Sequence, residues 1–229
     1  MDFQNLLSII FNIHSVKILL FPSTIFLLCS HPVCFSQNTD IPTHPKNKLF
    51  HDASAYVDFQ FPKGGKLLIT TQFWFYTKKH IYTEFRYNYE DRKTFSFYMG
   101  RSFKIGKHEE FEIIPMVGGS AGRFKGISPA TTMILEAGWI RGFSQNQYSI
   151  NIKDQGSSFF FDWSAIVVHA YKPLYLGVSL QTFIPRNTGS QIYFGPMISI
   201  KKLPLIVEGF AYNFWTDLPM WALGVQYVF

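Results

Sequence analysis

The sequence predicts an all-β protein: a closed antiparallel β-barrel of about twelve strands, beginning near residue 53 and preceded by a cleaved export segment. Three observations predict it. Apolar and polar residues alternate with period two from about residue 53 onward, which separates two faces of a strand and would mix them on a helix. Clusters of Gly, Pro, Asp, Asn and Lys interrupt the alternation every dozen or so residues, as hairpin turns require. The composition is 47% hydrophobic and 18% aromatic with only 16% charged residues, which excludes disorder over most of the length. A chain of 229 residues can bury one sizeable core.

The elements follow in order. Lys17 precedes the apolar run 18–29, and Cys34-Phe35-Ser36 places small residues before Gln37. A charged residue, a short apolar run and a small-residue exit describe a signal peptide, expected here over 1–36. The run contains Pro22 and is shorter than the roughly 20 residues of a membrane helix. Residues 1–16 are unusual ahead of such a signal, and translation starting near residue 16 is an alternative. Both cysteines, Cys29 and Cys34, fall in the removed segment. Disulfide staples, thiolate nucleophiles and Cys-ligated zinc are then excluded from the exported chain. Residues 37–52 are polar, carry Pro42 and Pro45, and read as a flexible leader.

Strands are expected near 53–61, 66–77, 80–90, 94–104, 109–120, 130–141, 146–153, 158–169, 174–184, 190–200, 203–213 and 219–229. The clearest is 80–90, where Ile81, Thr83, Phe85, Tyr87 and Tyr89 share one face and Tyr82, Glu84, Arg86, Asn88 and Glu90 the other. The longest connection is expected at Gly122 to Pro129, with another turn at Gly142 to Asn146. Ten strands remains an alternative, because 53–61 and 146–153 are weak.

Several expected strands reach ten or eleven residues, long for a soluble sandwich and matched to the 9–11 residues of a tilted membrane strand. Alternation alone does not tell a membrane barrel from a soluble one with its apolar face inside. The combination of export signal, short hairpins, high aromatic content and an aromatic last strand favours a transmembrane barrel, whose closure satisfies every backbone group in lipid. With an even strand number and both ends in the periplasm, the loops near 62–65, 90–93, 122–129, 154–157, 185–190 and 214–219 face outward.

The last segment resembles the C-terminal insertion signal of Gram-negative outer-membrane β-barrel proteins. Trp221, Leu223, Val225, Tyr227 and Phe229 carry the resemblance: alternating apolar residues closing on an aromatic. It implies localisation in the outer membrane, and insertion there by the outer-membrane barrel assembly machinery. The stretches 84–90 and 159–164 (EFRYNYE and FFFDWS) look similar to uncharacterised Bacteroidota outer-membrane barrels. That resemblance brings no activity with it.

Glu84, Arg86, Asn88, Glu136, Asp162, Ser164, Gln181 and Gln226 are the expected polar lumen cluster, with Glu90 and Glu208 as further inward candidates. A buried arginine requires carboxylate partners, and Glu84 lies on the same face as Arg86. The expected function is a non-enzymatic narrow channel or a structural barrel. An outer-membrane lipid-modifying enzyme is one alternative; a soluble exported barrel binding an apolar ligand is another. For catalysis the available pair is Ser164 and His169, which are five apart and so face opposite sides of a regular strand. No metal-ligand or nucleophile motif occurs, and no cofactor is expected. The excess of 21 Lys+Arg over 15 Asp+Glu is spread over turns rather than gathered in a stripe, so nucleic acid is not an expected partner. Lipid, and lipopolysaccharide phosphates contacted from the outer loops, are.

Overall fold

A computed structural model describes residues 50–106 and 110–229. The expected signal peptide (1–36) and most of the leader lie outside the described residues.

The described chain is a run of antiparallel hairpins: β1 (Phe50–Pro62), β2 (Leu68–Thr77), β3 (Ile81–Tyr87), β4 (Thr94–Arg101), β5 (Phe103–Ile105), β6 (Phe111–Gly122), β7 (Gly126–Ala137), β8 (Ile140–Asn151), β9 (Phe159–Tyr171), β10 (Leu174–Pro185), β11 (Gln191–Lys202), β12 (Leu205–Tyr212) and β13 (Met220–Val228). β4 and β5 both pair with β6, so they form a single stave interrupted at Ser102. The barrel therefore has twelve staves, as the sequence predicts; the ten-strand alternative is wrong. It closes where β1 meets β13, from Ser54 opposite Val228 to Pro62 opposite Met220. Among the described residues, closure pairs each of the twelve staves with a neighbour on both sides.

Two expectations need correction. β1 starts at Phe50, inside the segment read as leader. The stretch from Gly122 to Asn146 is also partitioned differently: β7 spans 126–137 and β8 spans 140–151, joined by a tight turn at Gly138-Trp139. Pro129 lies inside β7 with its side facing outward, and no residue pairs are formed between β7 and β8 at 128 and 129. The missing N–H of proline is thus accommodated by a local gap in the ladder. The connection expected to be longest is only residues 123–125.

The alternation resolves into an apolar outside and a mixed inside. Phe73, Phe97, Val117, Ile127, Phe194, Ile198, Trp221 and Leu223 point outward and are exposed. Their neighbours in sequence are buried in the lumen, among them Gln72, Ser96, Tyr98, Met197 and Ala222. A soluble barrel would present the opposite arrangement, so the alternative with aromatic faces inward is not what the chain builds. Five of the C-terminal residues, Trp221, Leu223, Val225, Tyr227 and Phe229, lie on the outward face.

Candidate functional site: a divided lumen

An eight-stranded barrel is just wide enough for side chains to fill it, and larger ones hold cavities or channels. Twelve staves leave room that the side chains here only partly occupy. Two groups cross the lumen.

The first is charged. Arg86 on β3 donates from Nε to Glu84 Oε1 at 2.8 Å and from Nη2 to Glu84 Oε2 at 3.0 Å. Its Nη1 lies 3.6 Å from Glu90 and donates to Gln147 on β8. Its guanidinium sits over the Tyr98 ring at 3.9 Å and near the Tyr89 ring at 4.6 Å. The side chains of Arg86, Glu84 and Glu90 are all 0% exposed. Tyr82 donates to Glu84, Tyr98 donates to Glu90, and Tyr89 donates to Gln145 at 2.7 Å. Arg86 thus has a carboxylate on either side and an amide across the lumen. That is the fully satisfied arrangement a buried cation needs.

Local backbone makes this possible. The alternation suggests a strand through residue 90, but β3 ends at Tyr87. Asn88 takes a left-handed conformation (φ 60°), which asparagine tolerates. Its side chain accepts from Lys93 N and donates to Ile69 O. The turn so formed folds Tyr89 and Glu90 into the barrel. Space for Tyr98 comes from Gly118 on β6: a Cβ there would lie 2.4 Å from the ring.

The second group is aromatic. Tyr56 on β1 meets Trp163 on β9 across the lumen, ring centroids 5.7 Å apart. Trp163 also packs edge-on against Phe143 and Phe210, and Phe210 stacks on Tyr212. Met197 completes the cluster. Its polar atoms are engaged: Trp163 Nε1 donates to Ser179 Oγ at 3.1 Å, Gln181 Nε2 donates to the Tyr212 hydroxyl at 3.3 Å, and the Tyr56 hydroxyl donates to Glu208 at 3.5 Å.

Two cavities with no lining residue in common lie on either side of this cluster. The larger, about 400 Å³, opens at the end opposite Phe50 and Phe229 and has Tyr56, Trp163 and Phe161 in its walls. The smaller, about 180 Å³, opens at the end bearing Phe229 and is lined by Glu136, Arg141, Lys201 and Glu208 among others. Tyr56 borders the first and Glu208 the second, so their hydrogen bond spans the partition.

The expected lumen residues sort as follows. Glu84, Arg86, Glu90, Gln181, Glu208 and Gln226 point inward, Gln226 donating to Ser54 at 3.3 Å. Glu136 sits at the rim of the smaller cavity, 3.7 Å from Arg141. Asn88 is not in the lumen; it shapes the turn. Asp162 and Ser164 face outward, because they alternate with the lumen residue Trp163. There they bond to each other at 2.9 Å and to Ser144. Their polarity suggested the lumen, but β9 has aromatics on both faces here, and Phe159, Phe161 and Trp163 are the set that went inside. Ser164 and His169 are on opposite faces, so no nucleophile–base pair forms from them. The residues missed by the sequence reading are Tyr56, Asp58, Gln72, Tyr98, Gln145, Gln147 and Trp163. Gln145 lay in the misassigned turn; Tyr56, Asp58 and Gln72 alternate correctly and could have been found from that signal.

A closed twelve-stave antiparallel barrel with an apolar exterior has the fold of small outer-membrane porins. Comparison with solved structures agrees. The chain is similar to the KdgM porin in complex with disordered oligogalacturonate (TM-score 0.55, 12% identity, 77% of this chain and 99% of that one). It is similar to the NanC porin (TM-score 0.55, 7% identity, 76% of this chain and 98% of that one). No family model and no curated protein sequence matches.

Proposed function

We propose that the protein is a non-enzymatic outer-membrane barrel acting as a narrow channel for small solutes. The carrying observation is the lumen: two cavities lie toward opposite ends of the barrel, with the Tyr56–Trp163 contact between them. In a pore narrowed by side chains, the diameter and the lining groups at the constriction decide which solutes pass. The likeness to KdgM and NanC porins supports this reading. The exposed aromatic and aliphatic exterior supports outer-membrane residence, with the larger cavity facing out. Lys63, Arg92, Lys93, Arg123, Lys125 and Arg186 then lie on the outer side, where lipopolysaccharide phosphates would meet them. Insertion through the outward row ending in Phe229, and kinship with Bacteroidota barrels, belong to the same reading.

The test is liposome swelling with the refolded chain and solutes of graded size. Uptake of small solutes with a sharp size cut-off is the expected result. Vesicles that hold a folded barrel yet remain impermeable to every solute would favour a purely structural barrel.

A further inference from the structure

We propose that the larger cavity is a binding site for a neutral, hydroxyl-rich solute, a small sugar. As a transport substrate the sugar rests on the channel reading above; as a ligand it does not.

The cavity's volume, about 400 Å³, lies within the roughly 300–1,000 Å³ usual for ligand pockets. Its walls combine aromatic faces, from Tyr56, Phe161, Trp163 and Phe183, with the side-chain amides of Gln72 and Gln181. The π-face of an aromatic ring is negative and attracts the weakly positive C–H face of a sugar ring. Flat apolar walls with a few fixed polar groups orient such a ligand.

Two of those polar groups lack partners. Asp58 Oδ1 and Gln72 Nε2 are buried and make no hydrogen bond, although Asp58 Oδ2 accepts from Gln60 at 2.7 Å. The two residues are 4% and 7% exposed, so each carries the desolvation cost of an unmade bond. They sit on adjacent staves: Tyr56 pairs with Gln72 and Asp58 with Thr70. Asp58 and Gln72 are therefore diagonal neighbours on one face, a separation of about 7–8 Å at the backbone and less at the side chains. One is an acceptor in need of a donor, the other a donor in need of an acceptor. A hydroxyl supplies both roles, and a ring bearing several hydroxyls supplies them at neighbouring positions.

Other ligand classes fit less well. An apolar molecule would leave both groups unpaired. An organic cation would satisfy Asp58 and aromatic faces but not the Gln72 donor. An acidic sugar would meet Asp58, the one buried charge of the wall, while Lys66 and Arg92 lie exposed at the mouth, where water and salt screen them.

The experiment is calorimetric and fluorescence titration of the refolded full chain in detergent with maltose, galacturonate and choline. Asp58→Asn and Gln72→Leu are titrated alongside, each first confirmed as folded by its heat-modifiable gel mobility. Saturable maltose binding, tighter than that of galacturonate or choline and weakened about tenfold or more in either variant, is the expected result. Tighter binding of galacturonate or choline by the unaltered chain would overturn the proposal. So would no saturation by maltose up to about 100 mM, or folded variants that bind as the parent does. The ligand series needs no variant, so a variant that misfolds leaves the test intact. Maltose binding without permeation would remove the channel reading alone; permeation without maltose binding would remove this inference alone.

Discussion

Replacing Arg86 by Met removes the cation at the centre of the charged cluster and keeps an unbranched side chain of similar reach. Glu84 would lose two charge-assisted bonds at 2.8 and 3.0 Å, and Glu90 its 3.6 Å ion pair. Both carboxylates are fully buried, so neither recovers its loss from water. Breaking a buried pair by removing one partner costs about 3–5 kcal/mol, and the contact with the Tyr98 face is lost as well. With a urea slope of about 1–3 kcal/mol/M, the unfolding midpoint should fall by at least about 1 M. The assay is urea unfolding in lipid vesicles, followed by tryptophan fluorescence and gel mobility. A triple variant, Arg86→Met with Glu84→Gln and Glu90→Gln, should recover much of the loss, because neutral amides cost far less to bury than unpaired carboxylates. A loss below about 1 kcal/mol in Arg86→Met would refute the reasoning, since that is the range of an exposed surface ion pair.

Two further outcomes follow from placement. Asp162→Leu should leave stability unchanged or raise it by up to about 1 kcal/mol, because a carboxylate only 3% exposed on the outward side, with serine hydroxyls as its hydrogen-bond donors, is costly to bury and Ser144 and Ser164 still bond each other at 2.9 Å; a loss of more than about 1 kcal/mol in the same urea assay would return Asp162 to a structural role. Gly224→Ala should cost about 1–3 kcal/mol, because its Cβ would lie 2.1 Å from the Tyr56 hydroxyl; a midpoint equal to that of the parent would show that Tyr56 is free to move.

Alternation was enough to read the strand number, the closure of the barrel and the inward course of Glu84 and Arg86. It was insufficient in two places, for physical reasons. Between 122 and 146, Gly122, Gly126, Pro129 and Gly142 look like turn residues, yet all four stand within strands. Gly122 closes β6 at φ 140°, and Pro129 is tolerated where the ladder has a gap. The true turns there are 123–125, carried by Arg123, Phe124 and Lys125, and 138–139, where the left-handed Gly138 (φ 60°) is the one turn signal in the sequence. On β9, Phe159-Phe160-Phe161-Asp162-Trp163-Ser164 offers aromatic residues to both faces, and polarity alone selected the wrong one. The lumen prefers Trp163 because Tyr56, Phe143 and Phe210 are there to receive it. Those contacts join staves far apart in sequence, and no local pattern encodes them. The inward turn of Tyr89 and Glu90 depends likewise on one left-handed residue, Asn88.

The central claim is that a side-chain partition, rather than a packed interior, separates two ends of one pore. Planar-bilayer conductance of the refolded chain beside Trp163→Ala tests it most directly. Small unitary steps for the parent, and steps at least about twofold larger once the Tyr56–Trp163 contact is removed, are the predicted result. Folded parent and variant that both insert without any conductance would contradict it.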